Sequence, residues 1–257
     1  MPALRKASQH RVPWYGWQPD LPDHRDHPYA AVHGRRRRLP RQVDLRAHCP
    51  PVDNQGSLGS CTAHALSSAL EFLELRAGQR LVNLSRLFVY YNERVIEHSV
   101  ERDAGASLRN GIKTLVRQGV CEEALWPYRI REFQVRPPPP TYRQATRHCI
   151  RSYQRLETLE EMRDCLAEGY PFVFGFSIYE SFESARVARS GVLEMPARHE
   201  AQLGGHAVMA VGYDDRARRF LVRNSWARDW GQQGYFTMPY AYLENRNLSD
   251  DFWTVRR

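Results

Sequence analysis

The sequence predicts an α+β protein, with a helical lobe facing a sheet lobe across one cleft. Two observations carry this. Apolar residues recur at helical spacing in the first half, whereas the second half alternates short apolar runs with turn residues. Helices followed by strands, without regular alternation, give segregated layers and not βαβ units. The chain has 257 residues, 42% of them hydrophobic, which is enough for a sizeable core.

The elements follow in order. Residues 1–38 form an arm in which Pro13, Pro19, Pro22 and Pro28 exclude a helix or a central strand. Trp14, Tyr15, Trp17 and Tyr29 nonetheless call for burial, so an extended segment docked on the body is expected. The body then runs over residues 39–257. From Ser60, which can cap a helix, Leu66, Leu70 and Leu73 recur at helical spacing up to Gly78. A second helix is predicted from Ser107 to Gln118, with Gly119 as its stop. Pro137 to Pro140 reads as a surface connection. Thr158 and Glu161 form a capping-box pattern for a short helix through Leu166, ending at Gly169. Strands are predicted at 172–178, 207–213, 220–223 and 234–238.

Charge and cysteine usage narrow the function. Of the net charge of +8, +6 falls within residues 1–41 and peaks at Arg35–Arg38. A nucleic-acid reader carries its basic face on the folded body, so no nucleic-acid partner is expected. No apolar run is long enough for a membrane helix, and no apolar stretch follows the basic N-terminus as a secretory signal requires. A cytoplasmic protein without a membrane partner is therefore expected. The five cysteines are Cys49, Cys61, Cys121, Cys149 and Cys165, and whether any of them pair is left open.

Cys61 opens the first predicted helix, where unpaired backbone N–H groups and the helix dipole favour a thiolate. Upstream, Gln55-Gly56-Ser57-Leu58-Gly59-Ser60 has the glycines to fold back. The Gln55 amide can then join the Cys61 N–H as an oxyanion donor. His206 stands at the mouth of one predicted strand and Asn224 at the end of the next. Neighbouring antiparallel strands can bring the Asn224 amide to the imidazole and fix its tautomer.

Three blocks resemble the signature segments of the papain family, in the family's order. They are Gln55-Gly56-x-x-Gly59-Ser60-Cys61, His206-Ala207-Val208-x-Ala210-Val211-Gly212-Tyr213, and Asn224-Ser225-Trp226-x-x-x-Trp230-Gly231-x-x-Gly234-Tyr235. The resemblance spans about Leu39 to Tyr240 and includes an entry strand at Val43-Asp44-Leu45-Arg46. It implies a papain-like two-lobe fold with an antiparallel sheet or barrel in the second lobe. It also implies a cysteine endopeptidase working through an acyl-enzyme. Cys61 would be nucleophile, His206 base and acid, Asn224 its orienter and Gln55 the oxyanion donor, with Trp226 shielding the His206–Asn224 pair. Asp103-Ala104-Gly105-Ala106-Ser107 resembles the edge that pairs with substrate backbone, with Gly105 as pairing residue and Ala106 beside it. Gly175 and Gly205 fall where the family lines its main specificity pocket, and two glycines suggest room for a large apolar or aromatic side chain.

The chain also departs from that pattern. Leu58 replaces a cysteine that the family uses in a disulfide, and Thr62 replaces a tryptophan. His64, three residues after Cys61, has no second pair at ligand spacing, so neither metal nor cofactor is expected. The arm lacks the helical portion of the longer propeptides. Its Trp17-x-Pro19-Asp20-Leu21-Pro22-Asp23 resembles the short leading segments of bacterial papain-like enzymes. The expectation is a monomer acting on protein or peptide substrates, made as a zymogen whose arm covers part of the cleft until cut near Arg35–Arg38. A transferase on the same fold and a non-catalytic binding protein are the competing functions. Asn224 argues against the first, since transglutaminase-like chains pair histidine with aspartate, and retention of both Cys61 and His206 argues against the second.

Overall fold

The computed structural model describes residues 15–31 and 38–257. Trp14 and Arg35–Arg37 lie outside the described residues. A short strand β1 (Gln42–Asp44) leads into three helices: α1 (Cys61–Arg76), α2 (Arg86–Ile96) and α3 (Leu108–Arg117). After α4 (Pro139–Ala145), the chain alternates between β2 (Ser152–Arg155), α5 (Leu159–Ala167), β3 (Phe172–Tyr179) and α6 (Ala185–Ser190). It ends with β4 (Gln202–Asp214), β5 (Arg219–Arg223), β6 (Tyr235–Pro239), α7 (Tyr240–Glu244) and β7 (Ser249–Arg256). The strands form one antiparallel sheet in the order β2-β7-β3-β4-β5-β6, with β1 paired to β4.

The sheet is buried on both faces. Phe172, Phe174 and Phe176 of β3 enter one core with Val208 and Ala210 of β4. Val173, Ala207, Met209 and Val211 point the other way, against Leu66, Leu70 and Leu73 of α1. Side chains alternate across a strand, so burial on both sides produces an unbroken apolar run. That is why residues 172–178 show little alternation.

Several local predictions meet a different outcome. Ser60 does precede α1, but its hydroxyl does not cap it and bonds instead with Tyr128 Oη (2.6 Å) and His64 Nδ1 (3.3 Å). The proline run is not purely a connection, because Pro139 and Pro140 open α4. Proline is tolerated in a first turn, where its missing N–H has no partner to lose. The Thr158–Glu161 capping box forms on both sides, and Gly169 follows α5 at φ 83°. All five cysteines are free, so neither Cys49 nor Cys121 is in a disulfide.

The arm lies along the body. Trp17 is paired with Ala106 in a parallel bridge and Pro28 with Arg155. Tyr29 is buried in the sheet-side core. Asp26 takes a two-point ion pair from Arg109 of α3, at 2.9 and 2.6 Å.

Candidate active site

Three chain segments converge at the start of α1. Gly56 (φ 59°) turns the loop before Cys61, helped by Asn54 Oδ1 accepting the Gly56 N–H at 2.9 Å. The same loop is tied to the segment after β5. Gln55 N–H donates to the Ser225 carbonyl at 2.9 Å, and Ser225 Oγ donates to Gln55 Oε1 at 2.6 Å. The amide orientation is fixed at its other end, where Nε2 donates to the Leu58 carbonyl at 3.0 Å, since a carbonyl can only accept.

His206 lies in β4, paired with Phe176 of β3. Its Nε2 is 2.8 Å from Asn224 Oδ1. Asn224 Oδ1 also accepts the Ser225 N–H at 2.8 Å, so this atom is the oxygen and His206 Nε2 must carry the proton. His206 Nδ1 is then a lone-pair acceptor, and it has no hydrogen-bond partner among the described residues. Trp226 lies over the imidazole, with ring centroids 5.2 Å apart. It excludes water from the His206–Asn224 bond. Burial lowers the His206 pKa to about 4, against the support of Asn224, so the ring is neutral.

Cys61 has no exposed surface. Backbone N–H groups of Ala207, Gly16 and Thr62 point hydrogen bonds at its sulfur and favour the thiolate. Desolvation outweighs them and pushes the thiol up to about 12. The helix-start argument from sequence is therefore overridden here by burial, part of which comes from the arm. Thr62, next along α1, turns away to donate to Glu93 Oε1 of α2 at 2.6 Å. Burial holds Glu93 well above the usual carboxylate range, so a neutral carboxyl stands behind Cys61.

Residues 15–18 cross this constellation. The Tyr15 ring lies 6.4 Å from His206 and 6.5 Å from Trp226. Gly16 passes so close to Gly59 that an added Cβ would stand 1.7 Å from the Gly59 carbonyl oxygen. Trp17 donates its backbone N–H to Gly205 (3.0 Å), and its indole covers both Gly175 and Gly205. Ala106 exchanges backbone bonds with the arm, donating to Gly16 (2.7 Å) and accepting from Gln18 (3.0 Å). Gly105 supplies the space, since a Cβ there would meet the Gly16 carbonyl at 2.1 Å.

Cys61, His206, Asn224, Gln55 and Trp226 thus meet around one point, and Gly105, Ala106, Gly175 and Gly205 line the groove leading from it. Sequence reasoning missed Ser225, which orients Gln55, and Asp251, which receives the Trp17 indole N–H at 3.0 Å. Ser225 stands inside the Asn-Ser-Trp block and could have been found there. Nothing in the sequence signals the turn of Asp251 toward the groove.

Residues 39–251 match the papain family of cysteine proteases. The chain belongs to that family. A peptidase C1-like protein of Acanthamoeba polyphaga mimivirus is 42% identical over 213 residues, which is 79% of this chain and 68% of that one. Digestive cysteine proteinase 1 of Homarus americanus is 30% identical over 221 residues, 82% and 65% of the two chains. The crystal structure of xylellain, a cysteine protease from Xylella fastidiosa, matches with a TM-score of 0.85 at 39% identity, over 99% of both chains. This papain-family peptidase has the α+β fold expected of it, helical on one side and an antiparallel sheet on the other.

Proposed function

We propose that this papain-like peptidase is an endopeptidase made in a self-inhibited form, with Cys61, His206, Asn224 and Gln55 as its catalytic set. The observation that carries the catalytic assignment is the His206 tautomer. With Nε2–H given to Asn224 at 2.8 Å, Nδ1 is the free base. It takes the Cys61 proton as sulfur attacks the scissile carbonyl carbon. The carbonyl oxygen becomes an oxyanion held by the Cys61 N–H and Gln55 Nε2. The intermediate collapses, the C–N bond breaks, and the amine leaves with the proton from His206. Water, deprotonated by the same nitrogen, then cleaves the thioester and releases the acid.

The direction of the arm supports inhibition. The leaving amine departs on the side of His206 and Trp226, so a substrate runs toward them from N- to C-terminus. The arm runs the opposite way, from Tyr15 beside those rings to Gln18 beside Ala106. Gly16 presents an N–H to the sulfur, not a carbonyl carbon. It therefore fills the groove without offering a bond to cut. Removal of residues 1–38, by cleavage near Arg35–Arg38, would free the site.

The test is peptide hydrolysis under reducing conditions by full-length and arm-deleted protein. Arm deletion is expected to raise the rate, and Cys61→Ala in either form to lower it at least ~1,000-fold, as loss of a nucleophile does. Activity that survives Cys61→Ala would reject the catalytic assignment. A folded, arm-deleted protein no more active than the full chain would reject self-inhibition.

A further inference from the structure

The loop that carries Gln55 and Cys61 is held in place without a covalent tie. Leu58 gives it no thiol to pair, and all five cysteines are free. Near its start, Tyr128 Oη donates to the Gln55 carbonyl at 2.8 Å. Near its end, the Gly59 N–H points at a carboxylate, with both oxygens of Asp103 at 3.1 Å. Asp103 opens the segment that forms the groove edge at Gly105 and Ala106.

The same carboxylate reaches that edge through α2. Asp103 Oδ1 accepts the Tyr90 hydroxyl, and Tyr90 Oη accepts the Gly105 N–H at 3.2 Å. Burial, and then the bond to Asp103, push the Tyr90 phenol above its ordinary range, so it keeps the proton it donates. One chain of bonds therefore runs from Gly59, two residues before Cys61, to Gly105, next to the Ala106 that pairs with backbone in the groove. Bonds that share a carboxylate are the strong kind, and each polarises the next. Arg94 frames the chain. It is fully buried, its guanidinium lies 4.0 Å from the Tyr90 ring centroid, and Nη1 donates to the carbonyls of Val100 (2.8 Å) and Arg102 (3.0 Å). None of these groups belongs to the arm, so its departure removes none of them.

We propose that Asp103, acting through Tyr90, is a positioning residue that holds the substrate-pairing edge in register with Cys61 and Gln55. This rests on the peptidase reading above. The backbone bonds of Ala106 bracket Trp17, one residue along from the Gly16 that covers the sulfur. On a substrate they grip the second residue on the acyl side, and that grip decides where the scissile carbonyl falls. Gly59 decides where the oxyanion donors of its loop stand. A mismatch of about 1 Å between the two costs on the order of a hundredfold in rate. The Asp103–Tyr90 link prevents that mismatch and contains no disulfide that a reductant could open.

The test uses full-length Gly16→Ala, whose new Cβ would meet the Gly59 carbonyl oxygen at 1.7 Å and so lifts the arm. Asp103→Ala, Asp103→Asn or Tyr90→Phe is added to it. Two rates are compared: hydrolysis of a fluorogenic acyl-dipeptide, which reaches Ala106, and alkylation of Cys61 by iodoacetamide, which does not. Peptide mapping assigns the alkylation to Cys61. Asp103→Ala and Tyr90→Phe should each lower kcat for the dipeptide about 30-fold, with KM and the alkylation rate largely unchanged. Combining them should do little more than either alone, because one chain of bonds is broken once. Asp103→Asn keeps an oxygen able to accept from both Gly59 and Tyr90, and should recover most of the loss. Should Asp103→Ala fail to fold, Tyr90→Phe decides. An undiminished kcat, or kcat and alkylation falling together, overturns the inference while leaving the peptidase intact. No hydrolysis by Gly16→Ala itself overturns the peptidase reading and this inference together.

Discussion

The arm is gripped in two places by different physics. At Gly16–Gln18 the grip is shape and backbone pairing. The segment fits because Gly16 has no side chain and because Ala106 and Gly205 offer backbone partners. At Asp20–Asp26 the grip is charge. Arg109 pairs with Asp26, Arg155 lies 3.4 Å from Asp26 and 3.9 Å from Asp20, and the Trp253 indole donates to Asp20 at 2.9 Å. The first grip covers the sulfur. The second touches no catalytic residue and only keeps the first in place. Blocking and retention are therefore separable, and substitutions can address one without the other.

The largest effect is expected at Gly16. In Gly16→Ala the new methyl meets backbone at 1.7 Å, which no side-chain rotation relieves. Overpacking of this kind costs about 3 kcal/mol, roughly a hundredfold in arm occupancy. Full-length Gly16→Ala should therefore hydrolyse peptides far faster than the parent chain, with an unchanged melting temperature for the body. Parent-like activity would mean that the shape grip is not what covers Cys61.

A smaller effect is expected from Arg109→Ala. It removes the two-point pair with Asp26 and the bond from Nη1 to the Leu21 carbonyl at 2.6 Å. Asp26 keeps Arg155 and can return to water when the arm lifts, so the loss is nearer that of one charged hydrogen bond, about 1.5 kcal/mol. Activity of the full chain should rise roughly tenfold, and limited proteolysis of the arm should quicken by a similar factor. An effect larger than that of Gly16→Ala would reverse the ranking of the two grips.

This division was only half legible in the sequence. The catalytic segments were, because their chemistry needs particular residues at particular spacing, and Cys61, His206 and Asn224 stand out once taken together. The helices α1, α3 and α5 were legible from periodicity and end signals. The helix α2 was missed, although it carries Glu93, which accepts from Thr62 next to Cys61, and lies beside α1 in the helical lobe. The strand β7 was missed because Ser249-Asp250-Asp251 opens it with polar residues that read as a turn. Asp250 and Asp251 are polar because both pair with Arg155 of β2, and Asp251 also meets the arm, a partner about 230 residues away in sequence. The aromatic residues of the arm called for burial, but nothing local says that Trp17 is buried in the substrate groove.

The smallest effect, and the one that joins the two grips, is their dependence on pH. Asp251 touches both: its Oδ2 holds Trp17 and Asp20. Desolvation, and then the neighbouring Asp20 charge, push its carboxyl up to about 7. Asp250 adds repulsion, while Arg155 of β2 and, at longer range, Arg109 of α3 oppose it. Departure of the arm removes Asp20 and admits water, so the pKa of Asp251 falls toward its ordinary value. The arm-bound state thus holds more protons than the arm-free state. Binding of the arm is fully supported below the arm-free pKa, weakens by at most tenfold per pH unit between that pKa and about 7, and levels off above about 7. The ratio of kcat/KM for the full chain to that for full-length Gly16→Ala, in which the arm is displaced, cancels the pH dependence of the chemistry itself. That ratio should climb from pH 6 to pH 8. Asp251→Asn, which has no proton to lose, should flatten it. A ratio that instead climbs on acidification would overturn the assignment of this pH dependence to Asp251.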